Sequence, residues 1–427
     1  MRLRRAARRA HRALLYASIA HARWEYQVSC RILESRWRRI VLAALVVAAA
    51  APLAAAVAWG DDLPPLLGGR RAYAPALFTG RMLLAAVGIG LAAGLITGCI
   101  GAGGGFVITP AMMSAGVKGI MAVGTDMFHI FAKAIMGTVL HRKMGNVSLK
   151  LAAGFVVGSA VGVTLGAATN RALYMLSPTL SDAFISLVYA LLLGFLGVYA
   201  LGDFLRLRRR ASRPAAGGPG PDEPARIGRL AAGLQAVRLP PTIAFDENRT
   251  PGGRRIWAGF VGASGLLVGF AAAIMGVGGG FLTFPVFVYV LGVSEPTTVG
   301  TDILQIIFTA GYGSVVEYAV YGYVFYTLAM GLLLGSLLGV QVGAYAARVV
   351  PPLVIRGFYA MAILAGFFNR LMALPRKLIG AGVLGLPKSV GDVSDLVGLV
   401  LFFAAISVFA VWVIATFLVN IRKLREA

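Results

Sequence analysis

The sequence predicts an all-α polytopic membrane protein with two inverted-topology repeats, each holding a Gly-rich broken or re-entrant helix followed by transmembrane helices. Three observations predict it: extreme apolarity, a series of long apolar windows, and three motifs that occur twice in the same order. Of 427 residues, 58% are hydrophobic and 13% charged, a balance far too apolar for a soluble domain of this length. Apolar windows recur at 40–60, 83–100, 122–140, 148–170, 182–204, 257–275, 299–318, 323–346, 353–369 and 396–420. Each is near the roughly 20 residues a helix needs to cross the hydrocarbon. The short alternating strands of a β-barrel are missing from the pattern.

Taken in order, residues 1–39 form a basic arm, too long and too arginine-rich for the n-region of a signal peptide, expected on the cytosolic face of the membrane. An additional transmembrane helix follows at 40–60. The first transporter repeat spans 83–204 and the second 257–372. Between them the Pro-, Gly- and Arg-rich segment 205–256 reads as a mobile cytosolic linker with one short surface helix near 224–238. Residues 373–427 hold the last transmembrane helix. The net charge of +23 crowds into the arm, the linker and the C-terminal tail, so it reads as topology and attraction to lipid, not nucleic-acid binding. With only Cys30 and Cys99, neither a disulfide framework nor a metal site is expected, and no cofactor is implied. Membrane lipid is the expected partner, and a homodimer is allowed.

The duplication is the strongest signal. "GAGGGFVITP" at 101–110 returns as "GVGGGFLTFP" at 276–285, "VGTD" at 123–126 as 299–302, and "GSAVGVTLGA" at 158–167 as "GSLLGVQVGA" at 335–344. The constant separation of about 175 residues points to two copies of one unit. Loop charge then sets the orientation: the arm and "HRKMGN" lie inside, as does "RLRRRASR", whereas "EYAVYGY" in the second copy has no Lys or Arg and lies outside. The copies are therefore expected to insert with opposite orientation, both termini facing the cytosol.

The Gly-rich motifs break helices within the membrane, where broken backbone is tolerated only inside protein or against a wet cavity. Proline a few residues on suits the start of a second half-helix, whose free N–H groups make an anion site. The candidate substrate-binding residues are Gly101, Gly103, Gly104, Gly105, Thr109 and Pro110 of the first break, and Gly276, Gly278, Gly279, Gly280, Thr283 and Pro285 of the second. To these are added His129, Lys133 and Gln305. Asp126, His129 and Lys133 fall on one helix face, and Gln305 takes the place of His129 in the second copy. Asp126, Asp302 and His129 are candidates for proton coupling, because intramembrane acids are expensive and tend to be functional; helix capping is the alternative for both aspartates. Glu317 is expected to be solvated.

At these motifs the chain resembles the TauE/SafE sulfite exporter family, on the paired GxGGGFxxxP, the V-G-T segments at 123–125 and 299–301, and "RKMGNV" at 142–147. The resemblance implies a transporter of sulfite or organosulfonate-type anions in the bacterial inner membrane. Aspartate after Gly-Thr in both copies, the long linker and the N-terminal arm depart from the family pattern. An intramembrane enzyme acting on a lipid-linked substrate would need a nucleophile–base set that this sequence lacks, and an anion channel is the other alternative.

Overall fold

The computed structural model describes residues 40, 80–100, 104–142, 148–211, 229–237, 239–246, 253–350 and 352–426. The basic arm, all but the first residue of the 40–60 window, Gly101 and Gly103 lie outside them. The first half of the chain gives α1 (Gly80–Ile100), α2 (Gly105–Ser114), α3 (Gly119–Arg142), α4 (Leu149–Leu176) and α5 (Pro178–Ala211). A short α6 (Arg229–Ala236) and a hairpin of β1 (Thr242–Phe245) and β2 (Arg254–Trp257) follow. Then come α7 (Ala258–Met275), α8 (Gly280–Pro285), α9 (Glu295–Tyr312), α10 (Tyr326–Val349), α11 (Pro352–Gly380) and α12 (Lys388–Glu426). Helices α8 and α9 run on into wide π turns, Val286–Leu291 and Gly313–Ala319.

Seven of the described helices, α1, α4, α5, α7, α10, α11 and α12, are long and apolar enough to cross a membrane. Helices α3 and α9 fill the expected windows at 122–140 and 299–318 but are not among the seven; they carry buried polar side chains instead. On α5, Leu187, Leu191, Phe195 and Val198 stand exposed at helical spacing, the apolar face a membrane helix turns to lipid.

Glycine sets the packing. Gly90, Gly94 and Gly98 of α1 face Leu332, Ser336 and Val340 of α10, so the two helices run in the same direction. Gly158, Gly162 and Gly166 of α4 face Gly262, Leu266 and Phe270 of α7, again in parallel. A Cβ at Gly94 would lie 2.5 Å from the Ser336 carbonyl oxygen, and one at Gly166 would lie 2.6 Å from that of Phe270. Backbones therefore touch along both seams, gaining the dispersion contact that drives helix association where the solvent is itself apolar. Two further long pairings run antiparallel. Gly194, Gly197 and Phe204 of α5 meet Phe367, Leu364 and Gly357 of α11, and Met127 and Phe131 of α3 meet Gly313 and Gly311 beside and within α9.

The segment 205–256 departs from expectation. The short helix is present as α6, but the hairpin after it was not foreseen, and the described part is fastened down. Phe245 and Ile256 are buried with Phe287 and Leu291 of the π turn after α8. Asp246 accepts the Ser294 N–H at 2.9 Å and the Ser294 hydroxyl at 2.5 Å, just where α9 begins. Arg254 donates to the Gly292 carbonyl at 2.8 Å. Strands of four residues are too short to print an alternating pattern, and their partners lie about 40 residues away, so composition alone reads as linker.

The glycine seams predict an asymmetric mutational response. Gly162→Val should force α4 from α7 and cost about 2 kcal/mol or more, seen as a lower thermal midpoint and loss of the monodisperse peak in detergent. Gly202→Ala, whose Cβ meets nothing within 4 Å, should leave both unchanged.

Candidate functional site

The two Gly-rich breaks meet. Helix α7 ends at Gly276 with φ 78°, and Gly278 and Gly279 follow with φ 65° and 91°, three left-handed positions in four residues that side chains would strain. The ending strands carbonyl groups that water cannot reach, and tyrosines from distant elements supply the donors: Tyr318 gives its hydroxyl to the Ala273 carbonyl at 2.6 Å, and Tyr189 gives its own to Met275. The first break resumes as α2 at Gly104, which has no side-chain cap, and Gly105 through Met113 are all buried. A Cβ on Gly105 would stand 3.2 Å from Val277 of the other break. One on Gly276 would stand 2.8 Å from Val123 of α3 and 3.0 Å from Thr109 Oγ1.

Each break carries a buried polar cluster. At the first, Thr109 donates to Asp126 Oδ2 at 2.9 Å, and His129 Nε2 lies 3.0 Å from Ser336 Oγ of α10. Ser336 also reaches the Leu333 carbonyl at 3.2 Å; when its hydrogen points there, Nε2 donates to it and a neutral ring carries no proton on Nδ1. Nδ1 faces Asp126 Oδ1 at 3.6 Å, and neither atom has a hydrogen-bond partner although both are buried. At the second break, Gln305 Nε2 donates to Asp302 Oδ1 at 2.7 Å and to Thr283 Oγ1 at 3.0 Å. Thr283 passes its hydrogen to the Gly279 carbonyl at 2.9 Å. Thr309 donates to Gln305 Oε1 at 2.9 Å, so Ser159 of α4, 2.7 Å away, is the donor to Thr309. Ser159 and Ser336 are the serines of the duplicated "GS" motif, and each closes the cluster of one break.

Most of the expected site residues are thus brought together: Gly104, Gly105, Thr109, Asp126 and His129 on one side, and Gly276, Gly278, Gly279, Gly280, Thr283, Asp302 and Gln305 on the other. Lys133 lies half-buried one turn beyond His129. Some expectations need correction. Pro110 is the sixth residue of α2 and Pro285 the last of α8, so neither starts a half-helix; Pro285 opens the π turn, where its missing N–H is tolerated. Asp126 and Asp302 are not caps, since α3 begins at Gly119 and α9 at Glu295, and both are buried beside the breaks. Glu317 is not solvated. The π turn directs it inward, to pair with Arg171 at 2.8 Å and accept from Thr164 at 2.8 Å and Tyr312 at 3.1 Å.

This assembly sits within residues 86–369, which match the family described as Sulfite exporter TauE/SafE. The chain belongs to the TauE/SafE family. Like its relatives of that kind, it is a membrane transporter and not an enzyme. A "Probable membrane transporter protein" of Xylella fastidiosa is 25% identical over 265 residues, 61% of this chain and 83% of that protein. The "Probable membrane transporter protein YjnA" of Bacillus subtilis is 24% identical over 258 residues, 60% of this chain and 87% of that protein. Another from Bacillus subtilis, YunE, is 41% identical over a shorter 90 residues, 20% of this chain and 33% of that protein. No solved structure matches.

Sequence reading of this TauE/SafE chain missed four residues of the clusters. Ser159 and Ser336 left a signal, being duplicated, but duplication alone assigns a serine no role. Tyr189 and Tyr318 left none, because the carbonyls they satisfy lie 86 and 45 residues away. Removing either hydroxyl, as Tyr189→Phe or Tyr318→Phe, strands a buried carbonyl. Each change should cost about 1–3 kcal/mol and lower the thermal midpoint, while an unshifted midpoint would show that the helix end is satisfied otherwise.

Proposed function

We propose that this chain is a secondary transporter for a small anion, a sulfur oxyanion such as sulfite or an organosulfonate, in a bacterial inner membrane, with its site where the two Gly-rich breaks meet. The observation that carries the reading is the contact between the breaks, each with its own buried Asp–Thr cluster and the first with an uncapped helix N-terminus. The positive end of a helix dipole suits an anion without any cationic side chain, and α2 starts at the break. Thr109, Thr283 and Gln305 carry hydroxyl and amide donors that an entering anion would have to draw from Asp126, the Gly279 carbonyl and Asp302, and Lys133 lies one turn further along. The family description supports sulfite as the substrate class.

Alternating access is supported by helix direction. A two-fold axis in the membrane plane reverses every helix onto its counterpart, so α3 against α9 and α5 against α11 must run antiparallel, while α1–α10 and α4–α7 must be alike. Those are the directions described above. On this reading the repeats at 83–204 and 257–372 are inverted, and the positive loops place both termini in the cytosol. The breaks are buried and in contact, so a substrate reaches them only when Gly105 and Val277 move apart.

The facing pair of Asp126 Oδ1 and His129 Nδ1 is the proposed proton site. With the ring proton on Nε2 the two atoms face each other as acceptors 3.6 Å apart, and a proton taken up between them would draw them together into a hydrogen bond. Asp302 is the corresponding acid of the second half, held by Gln305 in place of a histidine.

Proteoliposomes offered sulfite, thiosulfate, sulfate, sulfoacetate, acetate and chloride, with and without a pH gradient, test the reading. The expected result is saturable flux and counterflow of one sulfur anion, abolished by Gly278→Leu; flux without counterflow would indicate a channel. Replacing Asp126 and Asp302 by Asn and His129 by Gln together should remove the dependence on the pH gradient. An unchanged dependence would sink proton coupling at these residues.

A further inference from the structure

Helix α11 carries the run "ILAGFFNRLMAL", and its arginine, Arg370, is buried to 1% exposure within a membrane-spanning segment. Its surroundings are neutral. Nη2 donates to Ser114 Oγ at 2.6 Å, the last residue of α2, and Nε and Nη2 both donate to Asn369 Oδ1, at 2.8 and 2.5 Å. Nη1 is buried with no hydrogen-bond partner. Among the described residues no carboxylate pairs with the guanidinium. The acids that face it across the bundle are committed elsewhere: Asp182 accepts the Gly119 N–H at 2.7 Å and lies 4.0 Å from Lys377, and Asp395 holds Arg376 at 2.7 Å.

A buried charge without a counter-charge costs several kcal/mol, and intramembrane arginines that persist usually serve a ligand. Location suggests which. Two turns further along α11, Lys377 and the exposed Arg376 mark a polar end of the bundle. One turn back along α11, a Cβ on Gly366 would stand 3.7 Å from the Phe106 carbonyl, in the first turn of α2 beside the breaks. Arg370 therefore lies between the polar end and the breaks. It also stands at the C-terminal end of α2, where the helix dipole alone would repel an anion and a fixed cation is needed to hold one.

We propose that Arg370, with Ser114 and Asn369, is a binding station for a small oxyanion on the route between the polar end and the Gly breaks. The anion supplies the counter-charge that the protein omits, accepting from Nη1, the guanidinium nitrogen whose hydrogens have no partner. The proposal rests on the reading that this chain carries an oxyanion.

The competing role for Arg370 is structural, as a cation neutralising the α2 terminus. Asn369→Asp separates the two, because it builds a carboxylate against the guanidinium in place of a neutral acceptor. The full-length protein in nanodiscs would be titrated with sulfite, sulfate and bromide, reading thermal stabilisation and equilibrium binding, beside flux in liposomes. The station predicts that Asn369→Asp stays folded, with a thermal midpoint no lower than wild type, and binds sulfite at least tenfold more weakly. Arg370→Lys, which keeps charge but loses the fork, should fall between. Sulfite binding and half-saturation in Asn369→Asp within twofold of wild type would remove the station and leave the transport reading standing. Binding that depends on Arg370 in a protein moving no oxyanion would keep the station and overturn the transport reading. A folded wild type that binds none of the three probes would overturn both.

Discussion

Backbone polar groups inside a membrane must find partners in protein, and everything central to this structure follows from that requirement. A helix that stops at Gly276 leaves carbonyls that lipid cannot satisfy. Tyr189 arrives from α5 and Tyr318 from the π turn after α9 to satisfy them, so two remote elements are fixed in place by the end of a third. The same demand accounts for the second break being covered by Gly105, where α2 begins, which stands against Val277.

Around that centre, polarity is arranged in closed chains instead of isolated contacts. Ser159, Thr309, Gln305, Thr283 and the Gly279 carbonyl form one directed series of donors, and every hydroxyl in it has one assignment. The counterpart around Asp126 is interrupted at the His129 ring. This asymmetry follows from divergence at one pair of positions, His129 against Gln305, on an otherwise shared frame. A glutamine reaches its partners with an amide whose donor and acceptor share one end; a neutral histidine carries one of each at separate ring positions, so the nitrogen without the proton can only accept.

Much of this was legible in the sequence, and the reasons differ by element. Long apolar windows and duplicated motifs print themselves directly, so most of the helices and the glycines at their ends could be read from the sequence, whereas the bond from Thr109 to Asp126 could not. What failed was whatever depends on distant partners. Glu317 looked like a helix-end residue because the π turn that buries it leaves no compositional trace. The prolines looked like helix starts because a one-and-a-half-turn offset is invisible without knowing where α2 begins. The hairpin at Thr242–Phe245 and Arg254–Trp257 was hidden by the glycine, proline and arginine around it.

The glycine seams have a consequence for how the chain is made. Helix α1 is sealed against α10 and α4 against α7, so each tight pair joins an early helix to a late one, from Gly90 to Leu332 in the first case. When α1 and α4 leave the ribosome, their flat glycine faces have no mate, and α1 must wait for more than half of the chain to be translated. Synthesis therefore passes through a stage in which two incomplete grooves lie open in the bilayer. Cutting the chain between its halves would yield fragments that each lack the other's covering helices, and neither would become a miniature of the whole.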